Sequence, residues 1–202
     1  MQRWLMLLGC LLITHAGVAQ TSLSGGKALV GHFQQQRYLA GFDFAINSSG
    51  KFRVNAEAGL VWHTLLPFES RLEIAEGAMT QQVGGELVAQ HSLKRMPAIG
   101  LLGELLQLSF SQNWQQLAHQ FGIQPQFNGE SWRFEMTTVQ LSKNFGLTLP
   151  LKKIVMEGGQ FVNKVTLQRA EADYDVITFS QQTRLPANTA EVGQAPVLHQ
   201  QP

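Results

Sequence analysis

Residues 50–77 alternate apolar and polar side chains in a way that predicts three successive β-strands joined by tight reversals. Phe52 and Val54 lie between charged or polar neighbours, and Leu72 and Ile74 repeat this alternation further along the chain. Period-two alternation places one face of a strand against a core and the other in water. These residues therefore predict an antiparallel sheet with one covered face.

The middle of this stretch, residues 60–66, has apolar residues at both odd-numbered and even-numbered positions and contains Trp62. A run of this kind needs cover on both of its faces. We expect a curved sheet with apolar material resting on its concave side. Continuity with Phe52 and Val54 favours Leu60 and Trp62 as residues of that side.

The preceding segment, residues 27–39, predicts an amphipathic helix, because Leu29, Val30 and Phe33 recur at helical spacing and three glutamines face outward. Residues 42–46 then alternate as a short strand, and residues 47–50 form a turn.

Two helices are predicted in the middle of the chain, after a possible strand at residues 79–83 and a turn at Gly84-Gly85. Residues 96–108 are rich in leucine but contain two glycines, which cost roughly 1 kcal/mol each inside a helix. This segment is either an ordinary buried helix or a mobile apolar lid. Residues 113–121 form a clearer helix, with an asparagine or serine cap and a glycine after its end.

The last part of the domain returns to strand patterns, which surround Phe134, Met156, Val165 and Phe179, with a turn at residues 170–173. Nine to eleven short strands with a few helices predict a mainly β (α+β) fold, built as a strongly curved sheet or barrel. A single folded domain is expected to span residues 20–184. Residues 185–202 lack periodicity and predict a flexible tail.

The first nineteen residues resemble a secretory signal peptide, with Arg3, a short apolar run and small residues before a cleavage site after Ala19. The apolar run is about half as long as a helix needs to cross a hydrocarbon core of about 30 Å. Residues 7–10 loosely resemble a lipobox, so lipidation at Cys10 is the alternative.

Composition excludes several classes of function once residues 1–19 are removed. Arg3 and Cys10 are then lost, which leaves a chain of nearly zero net charge without cysteine. Such a chain has no disulfide and no cysteine nucleophile, and it lacks the basic surface that nucleic acids or anionic lipids require. We expect a monomeric domain with one core.

No residue pattern indicates catalysis, a metal or another cofactor. The five remaining histidines show no zinc-binding spacing, and no serine lies in a nucleophile elbow. Asp173-Tyr174-Asp175 matches half of a calcium loop and is better explained as a turn. Glu69 and Glu73 are a weak candidate for an acid–base pair. We therefore expect a protein that is not an enzyme. Its aromatic residues form either a plain β core or the lining of a hydrophobic cavity, the usual site of a carrier of apolar ligands.

Residues of the opening stretch resemble the LolA family, the periplasmic carriers of outer-membrane lipoproteins in Gram-negative bacteria. The resemblance is carried by Gly50, Val54, Trp62-His63, Pro67, Glu69-Ser70 and Gly77, by residues 33–39, and by residues 132–134, 154–159 and 173–179. It implies an unclosed half-barrel of antiparallel strands, with a lid of short helices over an apolar cavity. It also implies a periplasmic shuttle between an inner-membrane transporter and an outer-membrane acceptor.

One position departs from the family pattern. Ala56 stands where the family typically has an arginine that locks the lid, and Arg37 and Arg53 are candidates to replace it. The lid itself is expected in residues 96–108. The predicted cavity and lid residues are Phe33, Phe52, Val54, Leu60, Trp62, Leu72, Ile74, Leu101, Leu102, Leu105, Leu106, Trp132 and Phe134.

Three functions remain open from the sequence. The first is a carrier for the acyl chains of lipoproteins or a related acylated lipid. The second is a structural or interaction protein of the cell envelope that docks a membrane partner. A lipid-modifying hydrolase ranks last, because no nucleophile is found.

Overall fold

The computed structural model describes residues 27–55, 58–146 and 151–186. These residues form one sheet of eleven antiparallel strands in the order β6-β5-β4-β3-β2-β1-β11-β10-β9-β8-β7, together with three helices. The strands are β1 (Lys27–Tyr38), β2 (Ile46–Asn55), β3 (Gly59–Leu66), β4 (Ser70–Ala75), β5 (Ala78–Val83), β6 (Glu86–Ser92), β7 (Gln126–Asn128), β8 (Ser131–Thr137), β9 (Lys153–Gly158), β10 (Val162–Gln168) and β11 (Tyr174–Pro186). The helices are α1 (Pro97–Ser111), α2 (Trp114–Phe121) and α3 (Thr138–Phe145).

The sheet consists of two meanders, β1–β6 and β7–β11, that meet where β1 pairs with β11. The two edge strands, β6 and β7, are not paired with each other, so the sheet is not closed. The mainly β, unclosed antiparallel fold predicted from the sequence is therefore confirmed.

One face of the sheet, called the inner face below, packs against α1 and carries the core. Phe52, Val54 and Leu60 are buried there, and Trp132, Phe134 and Met136 alternate with exposed neighbours on β8. Helix α1 contacts β2 and β3, and α2 packs beside α1. The core is thus a layer of helix on one side of an open sheet.

The helix predicted over residues 27–39 is wrong, because these residues form the central strand β1. Its inner-face positions include Leu29, Gly31 and Phe33, and the missing side chain of Gly31 hides the alternation. A Cβ atom at Gly31 would lie 2.8 Å from Cε1 of Phe52, so this ring covers the glycine. Pairing with β2 and β11 on both edges overrides the local helical spacing.

The strand predicted over residues 42–46 and the turn predicted over residues 47–50 are also wrong. Phe42 and Phe44 lie in the β1–β2 connection, and β2 begins at Ile46. The polar residues 47–49 pair with glutamines 34–36 of β1. This end of the ribbon is polar or exposed on both faces, so its sequence resembles a turn.

The remaining predicted elements are found, and three short ones were missed. The strands of residues 50–77 are β2, β3 and β4, and the two predicted helices are α1 and α2. Asn113 caps α2 by accepting from the backbone N–H of Gln116, and Gly122 ends it at φ 67°. The missed elements are β6, β7 and α3, although Thr137 and Gln140 form the capping box that starts α3.

Several predictions concern residues outside the described ranges. They include the signal peptide, Cys10, the position of Ala56 and most of the tail. Leu185 and Pro186, the first two residues of the predicted tail, continue β11 and pair with β1. Within the described residues, no helix has the length and apolar character needed to cross a membrane.

Candidate functional site

The candidate site is the apolar interior between the inner face of the sheet and α1. Twelve of the thirteen predicted residues belong to this core or pack against it. Those that are buried are Phe33, Phe52, Val54, Leu60, Leu101, Leu105, Trp132 and Phe134, and those that are half-buried beside them are Trp62, Ile74, Leu102 and Leu106. Leu72 shares the face of Ile74 on β4 and is half-buried outside this core.

An aromatic cluster fills the centre of the interior. Phe33 stacks on Trp62 with ring centroids 3.9 Å apart, and Phe52 lies 5.1 Å from Phe110 of α1. Phe110 also meets the edge of Phe179 at 5.1 Å. Sequence reasoning missed Phe110 because the predicted helix ended at Leu108, whereas α1 continues to Ser111. Phe110 of α1 thus packs directly against aromatic rings of β2 and β11.

Trp132 and Phe134 form a second part of the interior, near α2. The Trp132 ring is 4.7 Å from Trp114 at the start of α2 and is stacked at 6.0 Å from Phe134. Its Nε1–H donates to the carbonyl oxygen of Gly159 at 2.8 Å. The predicted lining is therefore one continuous core covered by two helices.

The two halves of α1 differ in burial. Residues 108–111 are all buried, while the preceding residues alternate between buried and half-buried positions. Leu105 is 1% exposed and points into the core, and Leu102 is half-buried at its margin. The N-terminal part of α1 is thus the less deeply held part of the cover.

Two glutamines attach α1 to the sheet. Nε2 of Gln107 donates to the carbonyl oxygen of Asn55 at 3.0 Å, and Nε2 of Gln112 donates to the carbonyl oxygen of Gly159 at 2.7 Å. Asn55 ends β2, and Gly159 lies in the β9–β10 turn. Side chains of α1 and of its C-cap residue thus bond the helix to the backbone of the sheet.

The two arginines considered as lid locks lie elsewhere. Arg37 forms an ion pair with Asp175 at 2.8 Å on the neighbouring strand β11. Arg53 alternates with the inner-face residues Phe52 and Val54, which places it on the outer face.

The weak catalytic and metal candidates have structural partners. Glu69 is 3.0 Å from Nε2 of His63, and Glu73 forms an ion pair with Arg71, so the two glutamates do not pair with each other. Oδ1 of Asp173 accepts from the backbone N–H of Ala40 at 2.7 Å, which fits a turn. Among the described residues, no group of three His, Cys, Asp or Glu side chains is arranged to hold a metal ion.

A groove of about 570 Å³ opens beside β7 and β8, where it is lined by residues that include Phe127, Arg133, Glu157 and Lys164. Glu157 is 2.6 Å from Nζ of Lys164 and 3.6 Å from Nε of Arg133. Of the predicted lining residues, Trp132 contributes to this groove. The groove has a mixed polar lining and differs from the apolar interior beneath α1.

Comparison with known proteins gives matches among solved structures. No family model matches the chain. No curated protein matches it either. It is similar in fold to a LolA superfamily protein from Nitrosomonas europaea, with 7% identity, a TM-score of 0.40 and coverage of 82% of this chain and 89% of that one. It is also similar to LprF from Mycobacterium bovis, with 12% identity, a TM-score of 0.38 and coverage of 81% and 90%.

Proposed function

We propose that this protein is a periplasmic carrier that binds the acyl chains of outer-membrane lipoproteins, or of a related acylated lipid, beneath α1. It takes this cargo from an inner-membrane donor and delivers it to an outer-membrane acceptor. The proposal is supported by one observation above all: the apolar inner face of an unclosed sheet is covered by helix α1.

The N-terminal part of α1 is the element that makes room for the cargo. It carries half-buried Leu102 and Leu106 and contains Gly100 and Gly103, which weaken a helix. The buried residues 108–111 serve as the fixed end. When this part of α1 swings away, the surface around Ile74, which Gly103 contacts, becomes available to an acyl chain.

The free energy of cargo release requires that α1 return to the surface that the cargo leaves. Burial of about fifteen methylenes at ~0.8 kcal/mol each gives on the order of 12 kcal/mol as an upper limit. Cargo held with that free energy would leave too slowly for a shuttle. Because the leucines of α1 return to the same surface as cargo leaves, their burial offsets much of the cost of release.

A disulfide that fixes α1 to the sheet tests this function. A Cβ atom built on Gly103 lies 3.4 Å from Cγ2 and Cδ1 of Ile74, so the two positions face each other between α1 and β4. In the double variant Gly103→Cys/Ile74→Cys, we expect oxidation to lower uptake of a fluorescent fatty-acyl probe at least about tenfold, and reduction to restore it.

The two single-cysteine variants, taken through the same oxidation and reduction, are the matched controls and are expected to bind the probe in both states. Formation of the disulfide is verified by intact mass. If the oxidised double variant takes up as much probe as the reduced one, the interior beneath α1 is not the binding site.

Cargo and location are tested on protein purified from the periplasm of the producing cell. We expect a mature chain that begins at Gln20 and carries a bound lipid or acylated peptide in native mass spectrometry. A mass that shows lipidated Cys10 would contradict the predicted cleavage. A reproducibly empty protein would favour the interaction protein instead.

A further inference from the structure

Most of the exposed large apolar side chains of the described residues lie at one end of the sheet. We define the apolar rim as Phe42, Phe44, Leu66, Phe68, Val83 and Leu87, whose exposed fractions run from 44% at Val83 to 79% at Phe68. Ile46, Leu65, Val88 and Val139 are exposed at the same end. Phe127, by contrast, lies on β7 at the opposite end. Within this group Phe42 and Phe44 also contact each other, with ring centroids 6.0 Å apart, and a concentration of exposed apolar side chains at one end marks a candidate binding surface.

The topology explains why these residues come together. The β1–β2, β3–β4 and β5–β6 reversals all fall at one end, because six consecutive antiparallel strands are neighbours in the sheet. Each reversal contributes two residues of the apolar rim. At about 4.8 Å per strand, the six strands spread these residues over roughly 24 Å. The rim is therefore a row of separate protruding tips.

The charges at these tips are few and of one sign. Residues 39–46, 65–69 and 83–88 contain Asp43, Glu69 and Glu86 and no lysine or arginine. Glu69 is paired with His63. Attraction to an anionic surface requires lysine and arginine clusters, so any surface that the rim binds must act through apolar contact.

The rim is also continuous with the inner face. Ile74 contacts Gly103 of α1, and Leu72 and Ser70 share the face of Ile74 by strand alternation. Ser70 is paired with Val83, which places Val83 of the rim on this same face. Apolar positions thus run from the core beneath α1, through half-buried Leu72, to the end of the sheet.

We propose that the apolar rim docks this protein on a lipid bilayer by inserting its loop tips into the zone between headgroups and acyl chains. A fluid bilayer receives separate tips at any spacing, whereas a protein partner needs a matching pocket for each one. The absence of basic tip residues specifies a zwitterionic surface. Transfer of cargo from the bilayer to the inner face along these residues rests on the proposed carrier function. The docking on the bilayer does not depend on it.

Vesicle flotation of the full mature protein tests the docking. We expect the wild type to float with pure phosphatidylcholine vesicles, and we expect 0.5 M NaCl or one-quarter phosphatidylglycerol not to strengthen its partitioning. Phe42→Ser/Phe68→Ser should lower the partition coefficient at least about tenfold, because two exposed rings are lost from the contact. Phe127→Ser removes an equally exposed ring at the opposite end and should change it less than about twofold.

Three outcomes would overturn the proposal. The first is wild type that stays with the soluble fraction at both compositions. The second is equal partitioning of Phe42→Ser/Phe68→Ser and Phe127→Ser. The third is a wild-type dimer that the double variant dissociates, which would make a second copy the occupant of the rim. Probe uptake by the protein is measured in parallel in the absence of vesicles. If the wild type takes up no probe, the carrier function is contradicted, whereas a positive flotation result still supports the docking.

Discussion

Leu102 and Leu105 lie one turn apart on the same helix and differ in the depth of their burial. Leu105 is 1% exposed and belongs to the core, whereas Leu102 is half-buried and packs against its margin. A charge at the first position would lie among apolar side chains, and a charge at the second can reach water. The two positions therefore separate the stability of the fold from the closure of the lid.

For Leu102→Glu we expect a folded protein whose closed state is weakened, with faster uptake of an acyl probe by about tenfold. For Leu105→Glu we expect a loss of several kcal/mol in the free energy of unfolding, because a carboxylate replaces a buried side chain. Urea unfolding and stopped-flow probe fluorescence measure the two effects. Unchanged uptake by folded Leu102→Glu would contradict a role of this leucine in closure.

Sequence alone identified much of the interior at the scale of residues, since alternation placed Leu60 and Trp62 on the face of Phe52. It did not identify Phe110 or the two tethering glutamines. Gln107 and Asn55 are 52 positions apart, and Gln112 and Gly159 are 47 apart. Glutamine on an amphipathic helix gives no local signal for a partner at that distance.

At the scale of elements, β1 shows how sheet pairing overrides local pattern. Three residues at helical spacing and a glycine on the inner face predicted a helix, yet neighbours on both edges make this segment the centre of the sheet. Helix α2 was predicted because its periodicity and its Asn113 cap are local, and α1 because the segment is rich in leucine. A local signal is not always recognised, since α3 was missed although Thr137 and Gln140 form a capping box.

The attachment of α1 supplies a prediction at this scale. Each glutamine tether is worth about 0.5–1.5 kcal/mol. Gln107 holds the part of α1 that opens, whereas Gln112 follows the fixed residues 108–111, so we expect Gln107→Ala/Gln112→Ala to increase the open population about twofold to tenfold, chiefly through Gln107. The carbonyl of Gly159 keeps the Trp132 donor in this variant, which limits the damage to the sheet. Amide hydrogen exchange in residues 97–107 should rise, while exchange in β1 and β2 stays the same.

Gln115→Ala is the control, because Gln115 is an exposed glutamine on the neighbouring helix α2. It should leave both exchange and probe uptake as in the wild type. An equal effect of the double variant and this control would mean that the two hydrogen bonds do not hold the lid.

At the scale of the whole molecule, the two meanders are joined by β1 and β11 and by a buried ion-pair cluster. Asp175 on β11 is fully buried and accepts from Arg37 on β1 and from Arg169 in the preceding turn. Both arginines are partly exposed, so part of their charge remains in water. The carboxylate is the shared partner, and its loss affects both contacts.

We expect Asp175→Asn to lower the free energy of unfolding by about 1.5–3 kcal/mol, because charge-assisted hydrogen bonds to two arginines are weakened. Glu171→Gln, an exposed carboxylate in the same turn region, should change it by less than about 0.5 kcal/mol. Urea titrations of both variants measure the difference. Equal stabilities would show that the cluster does not strengthen the join.

The position of this join also sets the order in which the molecule is assembled. Arg37 and Asp175 are 138 residues apart, so β1 is synthesised well before the strand that completes its second edge. Closing a loop of that length costs more chain entropy than forming the adjacent β1–β2 pair, so we expect β1 to pair with β2 first. Until β11 docks, the other edge of β1 is open to wrong strands. The last strand of the sequence is therefore the one that closes the centre of the sheet, and a chain cut short before β11 keeps one edge of its most central strand unpaired.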